Sequence, residues 1–284
     1  MSATGGIDRN LTHGASRLRR IGTNIAKTAA LLVRPPLGAT RRRRPNAAAM
    51  IGGAAMIIAT ILAAMLWLDG RVIAGVAGLP SWLVRGFEEI TDFGRSGWFL
   101  WPIGLLLVAM AVASARELPR VARLVLAALT MRLVFLFVAI ALPGLIVTVL
   151  KRLIGRARPL VSGDGDVFVF KPFIWRVDFA GMPSGHGTTA FAAAIAIGAL
   201  WPWTRPLMWT YAALIAISRV VVTAHYPSDV IASAAFGIVG ALLVRDWFAA
   251  RRLGFAVDSD GAVRRLPGPS FRRTKAVARR LLSA

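Results

Sequence analysis

Residues 180–200 read AGMPSGHGTTAFAAAIAIGAL. From Thr188 to Leu200 the stretch is apolar and built of small residues, as in a membrane helix. It opens, however, on Pro183-Ser184-Gly185-His186, a polar and ionisable cluster. The first amides of a helix have no partner within it, and the helix dipole adds about half a positive charge there. Glycine lets a backbone approach a ligand closely. Ser184 and Gly185 at a helix start therefore predict a cradle for an anion, with His186 at its edge.

The rest of the chain decides where that helix sits. Of 284 residues, 56% are hydrophobic, against about 45–50% in ordinary soluble domains. A membrane span needs about 20 apolar residues. Residues 47–68, 98–115, 133–150, 187–203, 207–224 and 228–244 are read as six spans, the third bent at Pro143. The expected fold is all-α: a polytopic six-helix transmembrane bundle with interfacial helices. Three parts are expected: a basic tail over 1–46, the six-span body over 47–247, and a second basic tail over 248–284.

The net charge of +22 is concentrated at the ends. Ten basic residues precede Asn46, including Arg41-Arg42-Arg43-Arg44, and ten more lie from Arg245 onward. Both tails flank apolar spans and lack interleaved aromatics. They fit anionic lipid on the cytoplasmic leaflet and not nucleic acid. Leu18, Ile21, Ile25 and Leu32 recur among Arg17, Arg20 and Lys27 as in a helix lying on the membrane surface. Six spans put both termini in the cytoplasm. The loop at 116–123 then lies inside, and 69–97 and 151–186 lie outside. The absence of cysteine excludes thiol catalysis, cysteine zinc sites and disulfides.

The outer loop at 151–186 breaks the positive-inside pattern with Lys151, Arg152, Arg156, Arg158, Lys171 and Arg176. Cations placed there against the topology rule are expected to face a bound anion. Two further clusters fall on the same face: Pro183–His186, and SRVVVTAHYPSD at 218–229. Arg219 lies twelve positions into the fifth span, about 18 Å from its inner end at 1.5 Å per residue. A cation inside an apolar span is costly and marks function. His225 and Asp229 flank Pro227, which suits the first turn of a helix. A carboxylate there can take the hydrogen of one imidazole nitrogen and leave the other as a nucleophile. GDGD at 163–166 is a weak calcium signal, since two aspartates lack further ligands at loop spacing.

Together, Lys-x6-Arg-Pro (Lys151, Arg158, Pro159), Pro-Ser-Gly-His (183–186) and Ser-Arg-x5-His-x3-Asp (Ser218, Arg219, His225, Asp229) resemble the signature of the type 2 phosphatidic acid phosphatase superfamily. The resemblance covers residues 90–245 or so, in family order. It implies a lipid phosphate phosphatase working through a phosphohistidine. His225 would attack phosphorus, Asp229 would orient it, and His186 would protonate the leaving oxygen. Lys151, Arg158, Ser184, Gly185 and Arg219 would hold the phosphoryl oxygens. Three fixed cations and a helix N-terminus supply the needed charge, so no metal and no cofactor is expected. A lipid phosphotransferase would share the intermediate. A phosphate or lipid carrier would need the cations but not His225 paired with Asp229. The aromatic strip FVFKPFIW at 168–175 is expected at the interface, shaping headgroup entry.

Overall fold

The computed structural model describes residues 4–37, 46–114, 118–161 and 166–283. The run Arg41–Arg44, Arg116 of the inner loop and Asp164 of GDGD lie outside these residues. The helices are α1 (Thr4–Val33), α2 (Ala47–Trp67), α3 (Asp69–Val76), α4 (Ser81–Asp92), α5 (Gly97–Ser114), α6 (Arg120–Ile154), α7 (Gly185–Leu200), α8 (Arg205–Val221), α9 (Pro227–Ala250) and α10 (Phe271–Leu282). The chain is mostly helical but not all-α. A short antiparallel hairpin joins β1 (Phe255–Val257) to β2 (Val263–Arg265). Its turn closes with Asp258 N–H donating to Ala262 O at 2.9 Å, and Gly261 takes φ +84°. Phe255 and Val257 face inward while Ala256 is half-exposed, the two-residue period of a strand.

Among the described residues, four stretches are long and apolar enough to cross a membrane: α2, α4 with α5, α6 and α9. The other two expected spans, over α7 and α8, fall short by length, so the count of six is not confirmed. Helix α7 has 16 residues and α8 has 17, so each reaches about 24–26 Å at 1.5 Å per residue, short of a hydrocarbon core of roughly 30 Å. For α7 the reason lies in its environment. In α7 Thr188, Thr189, Ala190, Ala192, Ala193, Ala194 and Ala196 are all buried. Its small side chains bury it in protein, so it need not match the length of lipid tails. Ala190 and Ala194 pack with Ala212 and Ile215 of α8. On α9, a Cβ at Gly237 would meet Thr188 O at 2.6 Å, so that helix approaches α7 backbone to backbone. Pro143 sits within α6, where a Cβ at Gly240 would meet its ring at 2.6 Å.

The contacts group into two compact units. One comprises Met1–Arg42, Pro102–Phe135 and Asp246–Ala284. There Val277 of α10 buries against Ala122, Val125 and Leu126 of α6, and the Phe135 ring meets Phe255 edge-on at 4.7 Å. Ser270 caps α10 by accepting from Arg273 N–H at 3.4 Å. Along α1, Ile21 and Leu32 are half-buried, whereas Leu18 and Ile25 are exposed. Asn24 donates to Ser114 Oγ at 3.2 Å from the half-buried side. The other unit comprises Arg43–Trp101 and Leu136–Arg245 and contains all three sequence clusters.

Candidate active site

Helix α7 begins where its sequence says it should. Ser184 is its N-cap, extended in backbone and fully buried, and its Oγ accepts from Gly187 N–H at 3.4 Å. The cap is tied to α9 by Ser184 N–H donating to Asp229 O at 3.3 Å. The opening amides of Gly185 and His186 have no partner within the helix. Lys151, in the last turn of α6, brings its ammonium to them: a Cβ at Gly185 would stand 3.3 Å from Lys151 Nζ. His186 lies against the loop between α4 and α5. A Cβ at Gly94 would be 3.0 Å from the His186 ring and 2.7 Å from Ile215 Cγ2, so only glycine lets that loop close over the imidazole.

Arg219 is in the last turn of α8 and 8% exposed. It does not snorkel to water. Its Nη1 donates to Thr91 Oγ1 at 2.6 Å, while its Nε has no acceptor among the described residues. Arg158 Nε is likewise buried without an acceptor among them. The Arg158 backbone is pinned by donating to Asp178 O at 2.8 Å. Two buried guanidinium edges with open donors suit an anion, because a buried donor left unmade is costly. Arg219, His225, Lys151 and Arg95 all lie within electrostatic reach of His186. Arg158, Arg219 and Asp229 lie within reach of Lys151. The structure thus brings Lys151, Arg158, Ser184, Gly185, His186, Arg219, His225 and Asp229 together.

His225 follows α8 and is 2% exposed. Its Nδ1 lies 2.6 Å from Gly181 O. A carbonyl can only accept, so Nδ1 carries the hydrogen and Nε2 keeps its lone pair. This corrects the sequence reading, which gave the tautomer to Asp229. Asp229 Oδ2 stands 3.7 Å from Nδ1, beyond hydrogen-bond length, and accepts instead from Tyr226 N–H at 2.9 Å. Its influence on His225 is one of charge. Burial pushes the His225 imidazole below its usual range, Asp229 opposes this, and Arg219 and Arg158 reinforce it. The ring is therefore neutral at pH 7, the form a nucleophile needs.

A second correction concerns Arg156, grouped by sequence with the anion-facing cations. It is fully buried and turned away from that role. Its Nη1 donates to Asp229 Oδ1 and Ser228 Oγ, both at 2.6 Å, and its Nη2 to Asp69 Oδ2 at 2.8 Å and Val167 O at 2.9 Å. Gly155, at φ +62°, makes the turn that delivers it. A Cβ there would stand 1.8 Å from Lys171 O. Asp69 and Thr91 were missed by sequence reasoning. The available signal for Asp69 was a carboxylate directly after the 21-residue apolar run of α2, facing a loop rich in arginine. Thr91 carried no signal.

The PAP2 superfamily model matches residues 132–253. A Rhizobium johnstonii protein named lipid A 1-phosphatase is 35% identical over 203 residues, covering 71% of this chain and 82% of its own. A Rhizobium etli protein of the same name is 36% identical over 206 residues, covering 72% and 87%. The chain belongs to the PAP2 superfamily. The family match takes in every residue from Lys151 to Asp229 and leaves Asp69 and Thr91 outside. Two solved PAP2-related structures are also similar. Aquifex aeolicus LpxE is 20% identical with TM-score 0.46, over 63% of this chain and 95% of that one. The first transmembrane PAP2 type phosphatidylglycerolphosphate phosphatase from Bacillus subtilis is 22% identical with TM-score 0.47, over 68% and 94%.

Proposed function

We propose that this membrane PAP2 protein removes a phosphate from a lipid headgroup through a phosphohistidine on His225. The observation that carries the reading is the Nδ1–H of His225 fixed on Gly181 O, which leaves Nε2 free beside buried cations. In the first step the Nε2 lone pair forms an N–P bond, the P–O bond to the lipid breaks, and His186 passes a proton to the leaving oxygen. Burial and the cations Arg219, Lys151 and Arg95 hold its imidazole down to about 3 in the free protein, so it takes up that proton with the anionic substrate. In the second, His186 takes a proton from water, the water oxygen bonds to phosphorus, and the N–P bond breaks to release phosphate. Lys151, Arg158, Arg219, the Ser184 hydroxyl and the Gly185 N–H hold the phosphoryl oxygens. Such transfer depends mostly on in-line placement and charge stabilisation.

Among phosphatidate, phosphatidylglycerol phosphate, polyprenyl diphosphate and lipid A, the relatives favour the 1-phosphate of lipid A. The site is assigned to the outer, periplasmic face of a bacterial inner membrane, with both termini cytoplasmic. The basic tails support this orientation, and the basic face of α10 (Arg272, Arg273, Lys275, Arg279, Arg280) suits anionic lipid there. In this orientation α7 and α8 complete a six-helix body. The deciding experiment is phosphate release by the purified protein over those four lipids, with a His225 variant as control. Turnover of none of them overturns the reading. Vanadate is expected to inhibit and EDTA to leave activity unchanged; loss in chelator that a divalent metal restores would contradict the metal-free mechanism.

The aromatic strip supports a lipid substrate. Phe173 is 73% exposed and Trp175 80%. Phe173 holds φ +62°, with its N–H donating to Arg152 O at 2.9 Å. A non-glycine residue held there costs about 1–3 kcal/mol, and the result is an aromatic ring kept outside the fold. Phe173→Ala is expected to lower turnover of a long-chain lipid phosphate by about tenfold, as for one or two buried apolar contacts, and to spare a short soluble ester. Equal losses on both would remove the strip from substrate handling.

A further inference from the structure

Three charged side chains behind His225 are fully buried: Asp69, Arg156 and Asp229. Arg156 bridges the two carboxylates, at 2.8 Å to Asp69 and 2.6 Å to Asp229. Ser228 locks the same knot. Its N–H donates to Asp69 Oδ1 at 3.0 Å, its hydroxyl donates to Asp69 Oδ2 and accepts from Arg156. The Tyr226 ring lies 4.4 Å from the guanidinium. One cation between two anions leaves one negative charge in excess. Burying that charge is expensive, and a fold built only for stability does better with apolar groups.

The chemistry explains the excess. When Nε2 bonds to phosphorus while Nδ1 keeps its hydrogen on Gly181 O, the His225 ring becomes formally cationic. We infer that Asp69, at the start of α3, is a positioning residue for this step. It occupies one edge of Arg156, so that Asp229 is held in place yet not fully neutralised and can offset the charge of the phosphorylated ring. Without Asp69, Arg156 and Asp229 would cancel each other. The charged and titratable groups facing His225 from the surrounding elements are Asp229 on α9, Arg219 on α8, Arg158 after α6 and His186 on α7. Asp229 alone of these is negative. The inference rests on the phosphohistidine reading, and it extends the site to an element outside the family match.

The test uses the full chain, purified, with lipid A and a short-chain phosphatidate as substrates. Asp69→Asn keeps the size and most of the hydrogen bonds and removes the charge. Its kcat is expected to fall roughly 10–100-fold, the usual range for a group acting through another, with KM within about twofold. Added to Asp229→Asn, it should cause no further loss, because its route to His225 is gone. Wild-type kcat, a change in KM alone, or losses that multiply in the double variant would each overturn the proposal. Should Asp69→Asn not accumulate in membranes, Ser228→Ala decides by the same pair of readouts, since it deletes the hydroxyl shared by Arg156 and Asp69. A His225→Gln variant separates the two levels. If it still releases phosphate through the usual kinetics, the phosphohistidine reading fails. If it is inactive while Asp69→Asn is fully active, only the role of Asp69 falls.

Discussion

His225→Gln is expected to abolish phosphate release, by about 10⁴-fold or more, the scale seen when a nucleophile that acts as part of a unit is removed. Glutamine is nearly the right size, and its NH₂ can still donate to Gly181 O, which now receives Nδ1–H at 2.6 Å. What it lacks is a lone pair able to form a bond to phosphorus. The fold should therefore survive while the first chemical step is lost. Substrate binding should change little, because in the proposed site the phosphoryl oxygens would be held by Lys151, Arg158, Arg219 and the start of α7. Loss of phosphate release with retained binding fits covalent catalysis. A variant that moves phosphate across a vesicle membrane as the wild type does, with no hydrolysis in either, would instead identify a carrier. A transferase would show phosphate on a second lipid and none in solution, again dependent on His225.

The candidate site was legible because its residues sit in short, tight segments. Ser184-Gly185-His186 could be placed at a helix start from local rules alone, and the N-cap is where those rules put it. Arg219 in an apolar run was read as a costly cation that marks function, and its guanidinium is held by Thr91. The partner itself was illegible. Residues 91 and 219 meet only through tertiary packing between α4 and α8, and a threonine near a helix end has no distinguishing pattern. The same holds for Arg156. By composition it resembled Arg158 two residues on, and only the turn at Gly155 sends Arg156 inward to Asp69, while Arg158 Nε is left without an acceptor among the described residues. Hydropathy alone does not settle whether α7 and α8 are spans, for a related reason. Hydropathy reports apolar surroundings but cannot tell lipid from neighbouring helices. A run as rich in alanine as α7 is cheaper to bury against α8 and α9, where backbones can approach closely, than to expose to acyl chains. The β1–β2 hairpin went unread because three-residue strands give too short an alternation to stand out from a basic tail.

Arg219→Ala is expected to lower kcat/KM by on the order of 10³-fold, the lower end of what a single arginine contributes to phosphoryl transfer. The cation is 8% exposed, so little water screens it from a phosphate, and its Nε has no acceptor among the described residues until an oxyanion arrives. Charge that develops on the equatorial oxygens therefore meets a donor already desolvated and already aimed. Two companions divide the effect. Arg219→Lys keeps the charge but loses the planar fork that grips both Thr91 and an oxygen, and it should recover part of the activity. Thr91→Val leaves the guanidinium in place without its tether at 2.6 Å and should cost about tenfold. The order Thr91→Val, Arg219→Lys, Arg219→Ala in increasing severity is the signature of a cation whose position matters as well as its charge. Equal activity in Arg219→Lys and the wild type would reduce Arg219 to a point charge. Full activity in Arg219→Ala would leave Lys151 and Arg158 as the phosphate's only cations and remove the third cluster's arginine from the mechanism.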